Sequence, residues 1–335
     1  MFHWRRIGRG VIASSALAAG ASGQLAMQQT FGTGVSHVGL GYDANTDTVW
    51  VYGSFGADLR RFSSAGNAVG AVPRPGAAAN DADIEVTNSP LTLGSTALPT
   101  GTLLYIDGES GVAEIYAVNP ATGALITSLA TQFGVSHVVG GAHHPARGTI
   151  FLVQDKIPGG AAANRVAEID PSTGAVLGTF QITSVLPTFT VNFGDIAVAA
   201  NGNLLVVSSD EATIAEFTPG GTFVREHALP AGVTPDLCGI GVDREGCGVW
   251  VADTSNDVYR MSGVGAVFCA GCDSIDFNND GLFPDNQDLE DFLGVFGGGP
   301  CSTGDCADID FNNDGLFPDN ADLEAFFSVF GGGPC

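Results

Sequence analysis

The chain is poor in positive charge. Its 335 residues carry 12 Lys and Arg against 36 Asp and Glu, a formal net charge of -24. Three of those cations, Arg5, Arg6 and Arg9, crowd the first positions, so only nine remain for the rest of the chain. That is too few to neutralise a phosphate backbone, which excludes nucleic acid as a partner. From Cys269 onward there is no Lys or Arg against 14 Asp or Glu. Such a block must bind cations or repel itself.

Other absences narrow the field. No apolar run reaches the ~20 residues needed to span a bilayer, and between Gln24 and Phe268 no stretch shows helical periodicity. There is no Gly-x-Ser-x-Gly elbow, no phosphate-binding loop and no zinc-type Cys/His spacing. These gaps leave an enzyme unsupported without excluding one.

What is present begins with "MFHWRRIGRGVIASSALAAGASGQ". Arginines before a short apolar run and then small residues, with cleavage near Ala21 or Gly23, read as a secretory signal peptide over residues 1–23. A membrane anchor is the alternative, for which the run is short; the Arg5–Arg6 pair hints at twin-arginine export. The expected location is secreted or at the cell surface. Export permits disulfides. Four of the seven cysteines fall at matching places in a C-terminal repeat, Cys272 with Cys306 and Cys301 with Cys335. Four cysteines allow three pairings; repeat symmetry favours Cys272–Cys301 and Cys306–Cys335. Cys238, Cys247 and Cys269 then leave an odd thiol.

Short β-branched runs separated by Gly, Asn, Asp and Pro turns make the region 24–268 all-β. Two apolar strands around a polar turn recur in "VGLGYDANTDTVWVYG", "GGAHHPARGTIFLVQD", "GDIAVAANGNLLVVSS" and "CGIGVDREGCGVWVAD", with a longer-turned copy in "ADIEVTNSPLTLGSTALPTGTLLYID". Their second strands centre near Trp50, Leu104, Phe151, Leu205 and Trp250, a period of about 50 residues that suits propeller blades. A third and a fourth strand follow each hairpin, which is blade architecture. The last unit lacks its fourth strand after "DVYRMSG", and "LAMQQTFGTGVSH" near the N-terminus looks like a fourth strand. It is expected to complete the last blade and close the ring. The fold class is therefore mainly β, a five-bladed β-propeller, with six blades or an irregular sandwich as alternatives. The unit resembles the NHL and SMP-30-like propellers, most clearly in "GIGVDREGCGVWVADTSNDVYRM", over residues 31 to 263.

Residues opening each first strand are expected to line the channel mouth. "GVSHV" occurs twice, setting His37 against His137, and Asp83, Asn192 and Asp236 are the corresponding residues in the other units. Imidazoles and carboxylates around a channel could hold a divalent metal or polarise a carbonyl; equally, polar residues cap the hydrated end of any propeller. SMP-30-like lactonases and streptogramin lyases, which the propeller resembles, place acidic or histidine residues comparably. His143 and His144, in "AHHPARG", are expected to be solvated.

The end of the chain repeats itself. Residues 276–301, "DFNNDGLFPDNQDLEDFLGVFGGGPC", recur at 310–335 with only Gln287/Ala321, Asp291/Ala325, Leu293/Phe327 and Gly294/Ser328 changed. Asp276, Asn278 and Asp280 take positions one, three and five of an EF-hand-like Ca²⁺ loop, with Gly281 at six and the Leu282 carbonyl at seven. Position twelve is Gln287 in one copy and Ala321 in the other. Alanine cannot ligate, so the last ligand is expected one residue later, at Asp288 and Asp322, with Asp285 and Asp319 in the role of position nine. Leu289, Phe292, Leu293 and Phe296 then fall at helical spacing, as do Leu323, Phe326, Phe327 and Phe330. This arrangement resembles the dockerin domains, more narrowly the cysteine-bearing type that ends in "GGGPC" at the C-termini of exported planctomycete proteins, and covers residues 272 to 335. The resemblance implies a small α domain over residues 269–335 binding two Ca²⁺ ions through Asp276, Asn278, Asp280 and Asp288 and through Asp310, Asn312, Asp314 and Asp322, with Leu316 as the second carbonyl. Its longer loop departs from ordinary dockerins. The expected function is a secreted binding or display protein, docked to an extracellular receptor, cohesin-like or other, with a small molecule or glycan at the propeller. A lactonase, lyase or glycan-degrading enzyme targeted by the same module is the alternative.

Overall fold

A computed structural model describes residues 25–244, 247–262, 272–282, 284–304, 306–307, 309, 311, 318 and 320–331. The segment 1–23, expected to be a signal peptide, and five residues expected in the second loop, Asp310, Asn312, Asp314, Leu316 and Asp319, lie outside them.

Five four-stranded antiparallel sheets form five blades. The first comprises β2 (His37–Asp43), β3 (Thr48–Gly53), β4 (Asp58–Ser63) and β5 (Ala68–Pro73). The second runs β6 (Ala82–Val86), β9 (Leu103–Asp107), β10 (Glu114–Val118) and β11 (Leu125–Ala130), and the long turn after β6 folds into a small hairpin, β7 (Leu91–Leu93) with β8 (Thr96–Leu98). The third holds β12 (Val138–His144), β13 (Thr149–Lys156), β14 (Ala162–Ile169) and β15 (Val176–Gln181), followed by the helical turn α1 (Ile182–Val185). The fourth holds β16 (Asp195–Val198), β17 (Leu204–Val207), β18 (Thr213–Phe217) and β19 (Phe223–Ala228).

In the fifth blade β20 (Leu237–Asp243), β21 (Gly248–Asp253) and β22 (Asp257–Ser262) take their outer strand from the start of the chain, β1 (Ala26–Gly32). β1 lies antiparallel to β22, with Thr30 opposite Tyr259. Six blades and the sandwich are thus replaced by a five-blade ring closed by the N-terminal strand, as the matching fourth-strand pattern implied.

The inner strands are buried but for the half-buried Glu85 and Val242, while outer strands such as β11 and β15 mix exposed and half-buried residues. This gradient follows from packing each sheet face between two neighbours. Large aromatics fill the seams: Trp250 packs with Tyr42, Phe31 and Phe62 between the last and first blades, and Trp50 with Tyr52 and Tyr105 between the first and second. Both indoles are buried.

The C-terminal region contributes α2 (Asn286–Phe296) and α3 (Asn320–Phe330). Their shared core is made of equivalent residues from the two copies, Phe277 with Phe311, Phe292 with Phe326 and Ile275 with Ile309. Phe292 and Phe326 stack at 3.9 Å. Reciprocal backbone bonds join the halves, the Asp273 amide donating to the Phe311 carbonyl and the Ala307 amide to the Phe277 carbonyl, each at 2.8 Å. One copy alone would leave its phenylalanines in water, which is why the unit is written twice.

The disulfides differ from the expected pairing. Cys301 bonds Cys306 across the junction of the copies, and Cys272 and Cys247 are also disulfide-bonded. Repeat symmetry misled here because a bridge between copies adds a connection that the helical core of each half does not provide. The odd thiol is Cys238, buried and free.

Candidate functional site

The residues at the centre of the ring come from one level of the five inner strands. Gly39, Asp83, Gly140, Asp195 and Gly239 pair with Tyr52, Ile106, Val153, Val207 and Ala252, equivalent positions of the second strands. Three blades supply glycine and two supply aspartate. There is no room for more: a Cβ on Gly39 would lie 2.4 Å from Asp83 Oδ1, and one on Gly140 would lie 2.3 Å from Asp195 Oδ1.

Both carboxyl groups are buried, at 1% exposure. Asp195 accepts the amides of Ile196 at 2.6 Å and Ile240 at 2.8 Å. Asp83 Oδ2 accepts the amide of Gly141 at 3.0 Å, and the amides of Leu40 and Ile84 also lean on this carboxyl. The five donors are each the residue after the shared level, one from every blade. Burial raises the pKa of both acids, and the neighbouring charge of Asp83 raises Asp195 further.

The mouth lies one level higher. Here the carbonyls of Ser36, Asp81, His137, Asn192 and Asp236 accept the amides of Ser54, Gly108, Asp155, Ser209 and Thr254, at 2.8 to 3.2 Å. The ring of equivalent residues therefore contains Ser36 and Asp81, not His37 and Asp83. The two "GVSHV" copies are one residue out of step, because His137 takes the turn-like φ of +57° while His37 is already the first residue of β2.

His37 is not available as a ligand. Its Nδ1 lies 2.9 Å from the Asp253 carbonyl and its Nε2 2.5 Å from the Thr33 hydroxyl. A carbonyl only accepts, so Nδ1 carries the proton and Nε2 accepts from Thr33. Burial lowers its pKa. The ring seals the seam between the first and last blades.

His137 and Asn192 do belong to one network, through residues the sequence reading missed. His137 Nδ1 stands 2.6 Å from Asp81 Oδ2 and 4.0 Å from Asp155 Oδ1. The Asp81 contact is at ion-pair distance but off the line of a straight hydrogen bond. Asp155 is wholly buried; its Oδ2 accepts the Phe193 amide at 3.2 Å and pairs with Lys156 Nζ at 3.3 Å. Lys156 donates to Asn192 Oδ1 at 2.7 Å and lies over the Phe193 ring. Burial pushes the Asp81 carboxyl up to about 6, with His137 pulling the other way. His137 Nδ1 is buried while the side chain is 32% exposed, so the rest of the imidazole edge faces the mouth. Asp236 stands apart, bonded to the Thr254 hydroxyl.

At the opposite end, His143 and His144 are buried in β12, contrary to the expected solvation. His144 Nε2 lies 3.0 Å from the Gly202 carbonyl. Burial pushes His143 down to about 4. The strand simply runs two residues further than the "HHP" turn signal suggests, to a 3-10 turn that starts at Pro145.

The first C-terminal loop is organised around acceptors. Asp276 accepts the amides of Asp280 and Gly281 at 3.0 Å each, and Gly281 adopts φ +80°, which the turn at position six requires. Asp288 is buried and turns back on the loop. Its Oδ1 faces the Asn278 amide at 3.4 Å and its Oδ2 accepts the Asp285 amide at 2.9 Å. Asp285 is the N-cap of α2, accepting the amides of Gln287 at 2.7 Å and Asp288 at 3.3 Å in a capping box. Capping occupies its Oδ1. Gln287 points away and donates to Asp291 at 3.1 Å; in the second copy both partners are alanine. The oxygens fit a hard cation in kind, being Asp276, Asn278, Asp280, Asp288 and the Leu282 carbonyl. Asp322, equivalent to Asp288, is likewise buried. Among the described residues no three His, Cys, Asp or Glu side chains stand at metal-binding spacing, at this loop or at the mouth, so the expected mouth ring of His37, Asp83, His137, Asn192 and Asp236 is not assembled.

No protein-family model and no curated protein matches the chain. Among solved structures it is similar to a luciferin-regenerating enzyme, at 12% identity and a TM-score of 0.46, over 72% of this chain and 96% of that one. It is also similar to a streptogramin B lyase, at 12% identity, TM-score 0.40, over 72% and 73%. A virginiamycin B lyase from Staphylococcus aureus gives 14% identity, TM-score 0.39, over 71% and 74%. Likeness at this level says nothing of the mouth. Among the described residues no helix is long and apolar enough to cross a membrane.

Proposed function

We propose that this is an exported display protein: a five-bladed propeller with a ligand-binding mouth, attached through a dockerin-like C-terminal module that takes two Ca²⁺ ions and docks on an extracellular protein receptor, cohesin-like or other. The observation that carries the reading is Asp288. A buried carboxylate, aimed back at the loop that opens with Asp276, Asn278 and Asp280, is a costly arrangement without a cation beside it. Loop and helix are coupled through the Asp285–Asp288 capping box, so binding of the ion would hold α2 in place.

The mouth suits a small molecule or glycan, because loops at the same end of the blades expose Phe55, Val135 and Ile157 for apolar contact near polar groups. Calorimetric titration of the full chain with Ca²⁺ is expected to show two sites and a gain of helical ellipticity. Capture of an extracellular protein that chelator abolishes completes the test. Absence of heat and of any helical gain would sink the module; Ca²⁺ binding with chelator-insensitive capture would sink only the docking role.

One observation favours an enzyme: His137, held by Asp81 with its other edge open, has the form of a general base. A panel of lactones and esters is expected to reveal hydrolysis that His137→Gln lowers by about 10²–10⁴-fold. Turnover surviving that variant would remove the assignment.

A further inference from the structure

We propose that Asp83 and Asp195 share one proton, and that this proton latches the five blades together at their centre. Five inner strands meeting on an axis leave a row of amides that no sixth strand can pair. One such amide from every blade (Leu40, Ile84, Gly141, Ile196 and Ile240) leans on this carboxyl pair. The three remaining blades have glycine at that level, so the pair fills the axis without a void.

The two carboxyl groups meet at one step of β12, where the Gly141 amide bonds Asp83 Oδ2 and a Cβ on Gly140 would lie 2.3 Å from Asp195 Oδ1. Two ionised acceptors packed against one strand step in a dry environment would repel, and a proton shared between them removes that repulsion. The charge of Asp83 acting on Asp195 would favour a proton on Asp195, but the bond inventory decides for Asp83, because amide donors occupy Asp195 where such a proton would sit. Both Asp195 oxygens are taken by short amide bonds, whereas Asp83 Oδ1 is buried with no bonded donor. The other titratable groups facing the pair are Glu85, one step along β6, and the Cys238 thiol on β20. Burial, and then the charge of Asp83, raise the Glu85 carboxyl well above its ordinary value, with the amides of Val86 and His143 and the charge of Arg244 opposing. β2 and β12 present Gly39, Leu40, Gly140 and Gly141 there and add no charge.

The sign follows from linkage. Folded-state pKa values raised above those of the unfolded chain mean that the ring binds its proton more tightly than the open chain does. The latch is therefore fully effective in acid and is lost as pH rises through the raised values. Surface carboxylates also weaken the fold as pH rises, so the test is a difference between chains.

Thermal midpoints of the full protein, at fixed Ca²⁺, are compared between roughly pH 5 and pH 9. The parent is expected to fall about 5–10 °C further than Asp83→Asn, whose amide replaces the shared proton permanently. Asp195→Asn should melt lower than Asp83→Asn at every pH, since its amide would face a backbone donor. Infrared spectra at neutral pH should show protonated-carboxyl absorption that Asp83→Asn lowers by the share of the pair, leaving that of Glu85, a reading that holds even for a poorly folding Asp195→Asn. Parallel melting curves for parent and Asp83→Asn, or an unchanged carboxyl band, would overturn the latch.

Discussion

Asp288→Ala is expected to lower the stability of the C-terminal region by about 2–4 kcal/mol and to abolish Ca²⁺ binding at the first loop. The variant strips the Asp285 amide of its acceptor, which is one half of the α2 capping box and worth about 1 kcal/mol, and leaves the buried Asn278 amide without its longer contact. A buried unpaired amide costs about 1–3 kcal/mol. Glu290→Ala, an exposed change on the same helix, should stay within about 0.5 kcal/mol. Urea unfolding followed by helical ellipticity, with one calcium site remaining by calorimetry, would check both parts. A variant that melts like the parent and still binds two ions would show that the loop does not close on Asp288.

Gly140→Ala is expected to cost the propeller about 3 kcal/mol, the upper end of overpacking penalties. The added methyl meets Asp195 Cα at 2.6 Å as well as its carboxylate, and backbone cannot turn away as a side-chain tip can. Gly178→Ala, on the exposed outer strand β15 where a Cβ meets nothing within 4 Å, should be neutral. Neither glycine has a positive φ, so the pair isolates crowding from backbone strain. Equal melting temperatures for the two variants would mean that the axis can relax and is less rigid than its packing implies.

The blades were legible in the sequence because each repeats a strong local pattern, apolar strand, turn, apolar strand, whose period survives divergence. The closing role of β1 was legible for the same reason, by likeness to another outer strand. The site was less so. A shared pentapeptide aligned His37 with His137, yet a single backbone torsion at His137 shifts the register by one residue. The central pair could have been found by aligning inner strands, where "ADIEV" and "GDIAV" set Asp against the Gly of "VGLGY", "VGGAH" and "CGIGV". Asp81, Asp155 and Lys156 meet His137 only through the three-dimensional neighbourhood of two blades, and no spacing along the chain announces that. The Cys301–Cys306 bond escaped for a related reason: internal symmetry predicts what each half does, not what ties halves together.

The strand that closes the ring sets a schedule for making the protein. The amide of Thr33, just past β1, donates to the carbonyl of Asn256, 223 residues away. At about 5–20 residues per second, β1 waits roughly 10–45 s after synthesis before its partner exists. During that interval an almost finished propeller has two open strand edges, one at each end of the ring. Another nascent copy could occupy either edge, so crowded synthesis favours exchanged dimers, and conditions that keep the chain extended until β22 has been made favour the closed monomer.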